Sequence, residues 1–384
     1  MASNPPGENP FTPGSGRMPP HLAGREHEQA VISDFTGELS RSKAPQAIIM
    51  VGPRGCGKTV LSNWCREAAP GIDSKIRVKK FKGKLPNEEA LIARELLDQL
   101  FDLRRPDEVT TRLGVGGFVG GETRYDLKPT GQMIINALIA ECRRSPLLLI
   151  VDEAAENSRE SLGELFNLHQ DVNAETGNLL LVLAGTPNVV QVLRSAGATF
   201  MNRNKVLNIG LLDENESREA ITVPLAETGM AIDKAALDQV IAESHGYPHF
   251  LQLWGRALFN ESARKNRQKI LLEDVHGVAG EVANDKNIIY SDRYAEWSGQ
   301  DIKILAEVLS RTRERRQSGQ LAKANLAEAV ALTLEEIEGT SSRAEAFTEK
   351  ILATACLWQP WGQDRLVSGL PSFIDYILQM SDSI

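Results

Sequence analysis

The run Gly52-Pro53-Arg54-Gly55-Cys56-Gly57-Lys58-Thr59 follows the pattern G-x-x-x-x-G-K-[ST] in full. Its glycines let the backbone curl so that consecutive N–H groups point inward at phosphate oxygens. A helix starting near Lys58 brings its positive end to the same point. Lys58 is then expected to reach the outer phosphates, and the Thr59 hydroxyl to ligate a divalent cation. The binding set reads Gly52, Pro53, Arg54, Gly55, Cys56, Gly57, Lys58, Thr59 and Val60. A second constellation is Leu147-Leu148-Leu149-Ile150-Val151-Asp152-Glu153, an apolar run that ends in two carboxylates. In a sheet it would deliver both acids to the carboxyl edge, with Asp152 in the metal shell and Glu153 polarising a water molecule. A third apolar run, Leu179–Ala184, ends in Gly185-Thr186-Pro187. Thr186 could sit between the acids and the terminal phosphate as a sensor, or cap the helix that Pro187 begins, and the two roles are compatible.

Around these residues the pattern alternates between buried strands and amphipathic helices. Helices are expected over 26–39, after the glycine loop to Pro70-Gly71, over 86–104, 134–142 and 158–172. Strands are expected at 47–51, 76–81, 147–151 and 179–184, and a Gly-rich hairpin over 112–126. Such alternation implies an α/β fold, a parallel sheet with helices on both faces. After residue 211 helices dominate, over 214–227, 233–244, 248–265 and 272–283, as a separate helical lid. A third region reads as helices over 300–311, 319–330 and 341–355, then a short hairpin around Trp361–Leu370, the layout of a winged helix. The expected division is a disordered tail over 1–20, a core over 21–210, a lid over 211–290 and a winged helix over 291–384. The tail follows from its six prolines and three glycines in residues 2–20, a composition that buries too little to offset backbone ordering.

Composition narrows the function classes. A net charge of −8 does not suit a globally cationic nucleic-acid binder. No run of about 20 apolar residues is present to span a bilayer, and no signal-peptide core is found, so no membrane role and a cytoplasmic location are expected. The four cysteines lack metal-ligand spacing.

Taken together, Gly24-Arg25-Glu26, the glycine loop, Asp152-Glu153, Thr186, the helical region and the terminal hairpin resemble the AAA+ superfamily. Within it they are most similar to origin-recognition-like ATPases and the related signalling (STAND) ATPases, over about residues 21–384. The resemblance implies ATP with Mg2+ as ligands, hydrolysis to ADP and phosphate, and a conformational switch acting in a homo-oligomer or on a protein partner. It implies that the segment around Arg25 lines the adenine. It also implies an arginine acting on a neighbouring subunit's nucleotide, with Arg203 first and Arg194 second. The lid turn His245-Gly246-Tyr247-Pro248 resembles the Gly-x-Pro turn of the signalling ATPases, which assigns Pro248 to nucleotide contact. No arginine occupies that turn, Arg256 lies two helical turns further on, and His249 is a weak substitute.

Other clusters carry alternatives. Lys75, Arg77, Lys79, Lys80, Lys82 and Lys84 cluster on one segment, and its odd positions to Lys79, opposite Ile76 and Val78, suggest a basic face for nucleic acid or an acidic partner, or else a lysine-protected edge strand. The run Arg311–Arg316 lies at a helix end, where cations are stabilised anyway. A winged helix suggests DNA, but Glu345 and Glu349 beside Arg343 and Lys350 would repel phosphates, and protein docking is the alternative. The glycines of 114–121 lack dinucleotide spacing, and His169 with Asp171 lacks a nucleophile for a triad. The competing function is a nucleotide-bound scaffold without turnover, in signalling or defence; a small-molecule kinase would need an acceptor pocket.

Overall fold

Ile48–Val51 (β1), Leu147–Asp152 (β3) and Leu179–Gly185 (β4) are covered at every position, as uninterrupted apolar runs must be in a parallel sheet clad on both faces. In the computed structural model, which describes residues 8–14, 16–83, 131–157, 159–196, 203–295, 297–318 and 321–381, these strands form the middle of a five-stranded sheet. Its order is β2-β3-β4-β1-β5, with β2 at Arg77–Lys82 and β5 at Lys205–Asn208, all parallel. The register pairs Val51 with Gly185 and Lys82 with Asp152. The loops that leave β1, β2, β3 and β4 therefore emerge along one edge.

Helices α1 (Glu26–Ser40) and α2 (Lys58–Ile72) cover one face, where Leu39, Leu61 and Cys65 join Ile48, Met50 and Ile150. Helices α3 (Gly131–Arg144), α4 (Arg159–Thr176) and α5 (Asn188–Ala196) cover the other, where Leu138, Phe166 and Leu193 join Ile49, Val51 and Leu149. Pro70-Gly71 does not end α2: the helix continues to Ile72 with Pro70 inside it. Proline there removes a donor to the carbonyl of Arg66, an exposed residue, so water can replace the lost bond. The helix expected over 86–104 and the hairpin over 112–126 lie outside the described residues. Strand β5 was not anticipated, because its four residues are too few to show a pattern.

Beyond β5 come α6 (Glu214–Glu227), α7 (Lys234–Ser244), α8 (Pro248–Arg264) and α9 (Leu272–Tyr294). A capping box between Asp213 and Glu216 starts α6. Short strands β6 (Ala231–Ile232) and β7 (Lys269–Ile270) pair in parallel. Helix α9 runs far past the expected stop at 283 and through residue 290 without a break. It leads to α10 (Gly299–Arg311), α11 (Arg313–Gln317), α12 (Lys323–Glu338) and α13 (Ala344–Ala353). An antiparallel pair, β8 (Leu357–Trp358) with β9 (Val367–Ser368), follows, and then α14 (Pro371–Ser381). The sequence reading missed α14, although Phe373, Ile374 and Ile377, all buried, fall on one helical face.

This last region is seated on the core. The Asn208 side chain donates to the Trp361 carbonyl at 2.9 Å and accepts from the Trp361 N–H at 2.7 Å. The Arg194 guanidinium lies 4.9 Å from the Trp361 ring centroid, and Trp358 is buried with the sheet residues.

Residues 8–14 and 16–20 do not behave as the composition suggested. Phe11 is 3% exposed and fills a slot on α8 that exists because residue 255 is glycine; a Cβ there would come within 2.4 Å of the Phe11 ring. Asn9 donates to the Arg256 carbonyl at 3.1 Å and to Asn260 at 2.7 Å, and the Thr12 N–H donates to Gln252 at 3.1 Å. Asn63 of α2 holds the Gly16 carbonyl at 2.6 Å. The segment is a strap from α8 to α2. Its few anchors suffice because the slot is on the partner helix.

Candidate functional site

The loop after β1 needs two residues in left-handed backbone, Gly55 at φ +83° and Gly57 at φ +95°, which only glycine adopts without strain. Gly57 starts α2 directly, so the loop amides and the helix terminus converge. Lys58 is 9% exposed. Its ammonium donates to the carbonyls of Gly52 and Pro53, both at 2.7 Å. Burial holds its pKa down to about 8, against the opposing pull of the Asp152 charge. Cys56 is fully covered, and burial pushes its thiol up to about 11, leaving it a neutral packing group.

Asp152 is 1% exposed at the end of β3. Its Oδ1 accepts from the Thr59 hydroxyl at 3.3 Å and the Glu153 N–H at 3.1 Å. Its Oδ2 accepts from Ser62 at 3.4 Å and lies 3.1 Å from Lys80 Nζ. Two hard oxygen donors, Thr59 and Asp152, thus meet at the helix terminus, a donor set that suits magnesium. Glu153 has φ +57°, strained for a residue with a side chain. Its carboxylate is more open than that of Asp152 and lies 3.5 Å from Lys82. The Thr186 hydroxyl donates to Asn188 at 2.5 Å, while its carbonyl accepts from the Val189 N–H at 2.9 Å. Among the described residues no backbone N–H of α5 donates to the Thr186 hydroxyl, so the side chain does not cap the helix, but Thr186 does line the shared cavity.

That cavity, about 510 Å³, is lined by Lys58, Thr59, Asp152, Glu153 and Thr186 from the core, with Thr12 and Arg17 among its strap residues and Pro248 from α8. Its size is in the range of small-molecule sites. Val60 and Arg54 border it as well. From the turn before α8, Tyr247 reaches across: its hydroxyl donates to the Arg54 carbonyl at 2.8 Å, and it is 2% exposed. Sequence reasoning passed over Tyr247. Its only signal was its place beside Gly246-Pro248 in the turn. His249 borders the cavity too, but burial holds its pKa below the usual range, which makes it a poor cationic partner for phosphate.

Arg25 lines the same cavity, whereas Arg203 and Arg194 do not. Arg25 is 6% exposed. Its guanidinium is taken up by carbonyls of Gly24 at 3.2 Å, Cys56 at 3.2 Å and Gly210 at 2.6 Å. It ties the glycine loop to the end of β5 and so braces the loop where it borders the cavity. Replacing it with leucine leaves these carbonyls without their donor. We expect a loss on the order of 3 kcal/mol, read as a lower midpoint in calorimetric unfolding. Arg203 precedes Lys205, which pairs with Ile48 at the amino end of β1. It is exposed at the sheet edge opposite the cavity and cannot serve this chain's own site. Arg194 is engaged with Trp361.

Three cations of the β2 segment are paired with acids. Arg77 pairs with Glu141 at 2.9 Å, Lys80 with Asp152 and Lys82 with Glu153; Lys84 lies outside the described residues. In the C-terminal region Arg343 pairs with Asp301 and Glu338, and Lys350 pairs with Asp301 at 3.1 Å. Arg311 is bound to Glu307 and Glu336.

Residues 41–193, the segment that carries the loop, both acids and Thr186, match the family model described as AAA domain. That segment is similar to an AAA domain, and the fold as a whole is origin-recognition-like. Its structure resembles the ORC2 protein of Aeropyrum pernix at a TM-score of 0.56 and 13% identity, over 97% of this chain and 98% of that one. It resembles Cdc6p of Pyrobaculum aerophilum at 0.52 and 14%, over 96% and 97%. A Walker-type ATPase of Pyrococcus abyssi matches at 0.54 and 13%, over 93% and 96%. No curated protein matches the sequence. No helix among the described residues is long and apolar enough to cross a membrane.

Proposed function

We propose that the protein is an ATP-hydrolysing switch whose nucleotide joins the AAA core to the helical lid. The observation that carries this reading is the convergence of Lys58, Thr59, Asp152 and Glu153 on one cavity clasped from the lid by Tyr247. Nucleotide complexes of the Aeropyrum pernix ORC2 fold, with ADP and with ADPNP, support it. Lys58 would turn from its own loop carbonyls to the phosphates, while the loop amides hold them in place. Thr59 and Asp152 would hold magnesium, which neutralises phosphate charge when bound. Glu153 would orient and polarise the attacking water, and Thr186 would register the terminal phosphate. Arg203, exposed at the far edge, would act on a neighbouring copy's site in a homo-oligomer. The last region, read as a winged helix over 291–384, would carry the output. Its contacts with Asn208 and Arg194 give it a direct connection to the sheet.

A protein partner or second copy suits that output better than DNA, because Arg343 and Lys350 are already paired with acids of their own region. Phosphate release with ATP and Mg2+, together with light scattering in ATP and in ADP, tests the switch. An ATP-dependent change of size with turnover supports it. ATP binding without phosphate release leaves the scaffold reading instead.

The burial of Lys58 has a pH consequence. Phosphate charge raises the affinity of Lys58 for its proton, so above about pH 8 binding must take up a proton. ATP affinity should fall by up to about tenfold per pH unit above that point. Calorimetry in buffers of different ionisation heat counts the proton, and a flat affinity profile across that range would remove Lys58 from the phosphates. In the free protein the sense is reversed. Unfolded Lys58 keeps its proton to about 10.5 and folded Lys58 only to about 8, so this group adds stability as pH rises between those values.

A further inference from the structure

Lys80 belongs to an edge strand whose charge pattern suggests an outward basic face, yet its ammonium is turned into the site and its side chain is 13% exposed. It lies 3.1 Å from Asp152 Oδ2 and donates to Ser62 Oγ at 2.5 Å and Asn63 Oδ1 at 2.7 Å. The same Asn63 holds the strap by donating to the Gly16 carbonyl at 2.6 Å. Gly16 also lies against Thr59, so closely that a Cβ there would meet the Thr59 methyl at 2.7 Å. The two oxygens of Asp152 are thereby divided. Oδ1 faces Thr59, where a metal ion would bind, and Oδ2 faces Lys80.

Resting on the ATP–magnesium reading above, we propose that Lys80 is a positioning residue that shares Asp152 with the metal and couples metal occupancy to the strap through Asn63. A divalent cation and an ammonium that share one buried carboxylate each weaken the other's hold, and by linkage the weakening is mutual. Lys80 compensates the Asp152 charge before metal arrives, which a buried carboxylate requires. When the metal claims part of that charge, Lys80 is freer to move, and Asn63 and the Gly16 contact move with it. The strap roofs the same cavity, so metal binding and access to the pocket become one equilibrium.

The test uses two readouts that a general loss of structure would move together and this coupling moves apart. The first is the rate of tryptic cleavage after Arg17, an exposed strap residue, in nucleotide-free protein. The second is the magnesium concentration that half-saturates binding of a fluorescent ATP analogue. Asn63→Ala should speed cleavage about fivefold or more and, because metal binding no longer has to release the strap, lower the magnesium requirement, though less than a neutral residue at position 80 does. Lys80→Met should speed cleavage and, by removing the competing charge, lower the half-saturating magnesium about fivefold or more. Lys80→Arg should stay near wild type in both, and Lys80→Gln serves in place of the methionine variant if that one folds poorly. A neutral Lys80 variant with an unchanged or higher magnesium requirement overturns the proposal, as does wild-type cleavage in Asn63→Ala. If the wild-type protein fails to bind the analogue, the ATP reading is at fault; the cleavage rates of nucleotide-free Lys80 and Asn63 variants still decide whether the strap link exists.

Discussion

Glu153→Gln is expected to abolish phosphate release while leaving ATP binding intact. The substitution keeps the size and hydrogen-bonding capacity of the side chain and removes only the charge that polarises water. Loss of a positioned base costs typically 10²–10⁴ in rate, so turnover should drop at least about a hundredfold. Asp152 keeps its contacts with Thr59 and the Glu153 N–H, because the latter is a backbone bond. Magnesium and nucleotide should therefore bind as before, and any assembly favoured by ATP should persist. Single-turnover phosphate release and equilibrium binding, measured side by side, separate the two effects. Equal loss of binding and turnover would mean that Glu153 supports the structure of the loop, which its strained φ of +57° makes a real alternative.

The second large effect belongs to Gly55→Ala. At φ +83° an alanine is strained by about 1–3 kcal/mol. Its Cβ would also sit 1.8 Å from the Tyr247 hydroxyl, which must then leave the Arg54 carbonyl. Tyr247 is buried and edge-on to Phe250, with centroids 4.6 Å apart, so it has little room to yield. We expect a loss of several kcal/mol in total, a lowered unfolding midpoint and failure to bind ATP. Adding Tyr247→Ala to Gly55→Ala should restore the part of the stability lost to the collision, leaving the backbone strain. A double mutant as unstable as the sum of the two singles would show that the lid turn and the glycine loop are not in contact.

Some elements were legible because their own residues are enough to define them. Helix α6 matches the expected 214–227 span, since Asp213 and Glu216 announce its start. Strands β1, β3 and β4 are continuous apolar runs with no competing reading, and they brought Asp152, Glu153 and Thr186 to the carboxyl edge as expected. The strap was misread because its anchor is Phe11 in a slot made by Gly255, and no property of residues 8–20 reports a glycine so far along the chain. Helix α9 was cut short at 283 because its later turns mix polar residues with Ile288 and Ile289, and the periodicity fades. Arg25 fits an adenine-lining motif, yet three backbone carbonyls claim its guanidinium.

The amino-acid order alone determined the phosphate loop, the acidic strand end and the parallel sheet, because each rests on neighbouring residues or on a period of two or three and a half. Only the folded chain decided which cations stand at the site. Lys80 and Lys82 sit two apart on a strand and so leave the same face of it. Whether that face looks at solvent or at Asp152 and Glu153 depends on where β3 and α2 are placed beside it. Charge and spacing are properties of the chain, whereas the partner of a charge is a property of the packing.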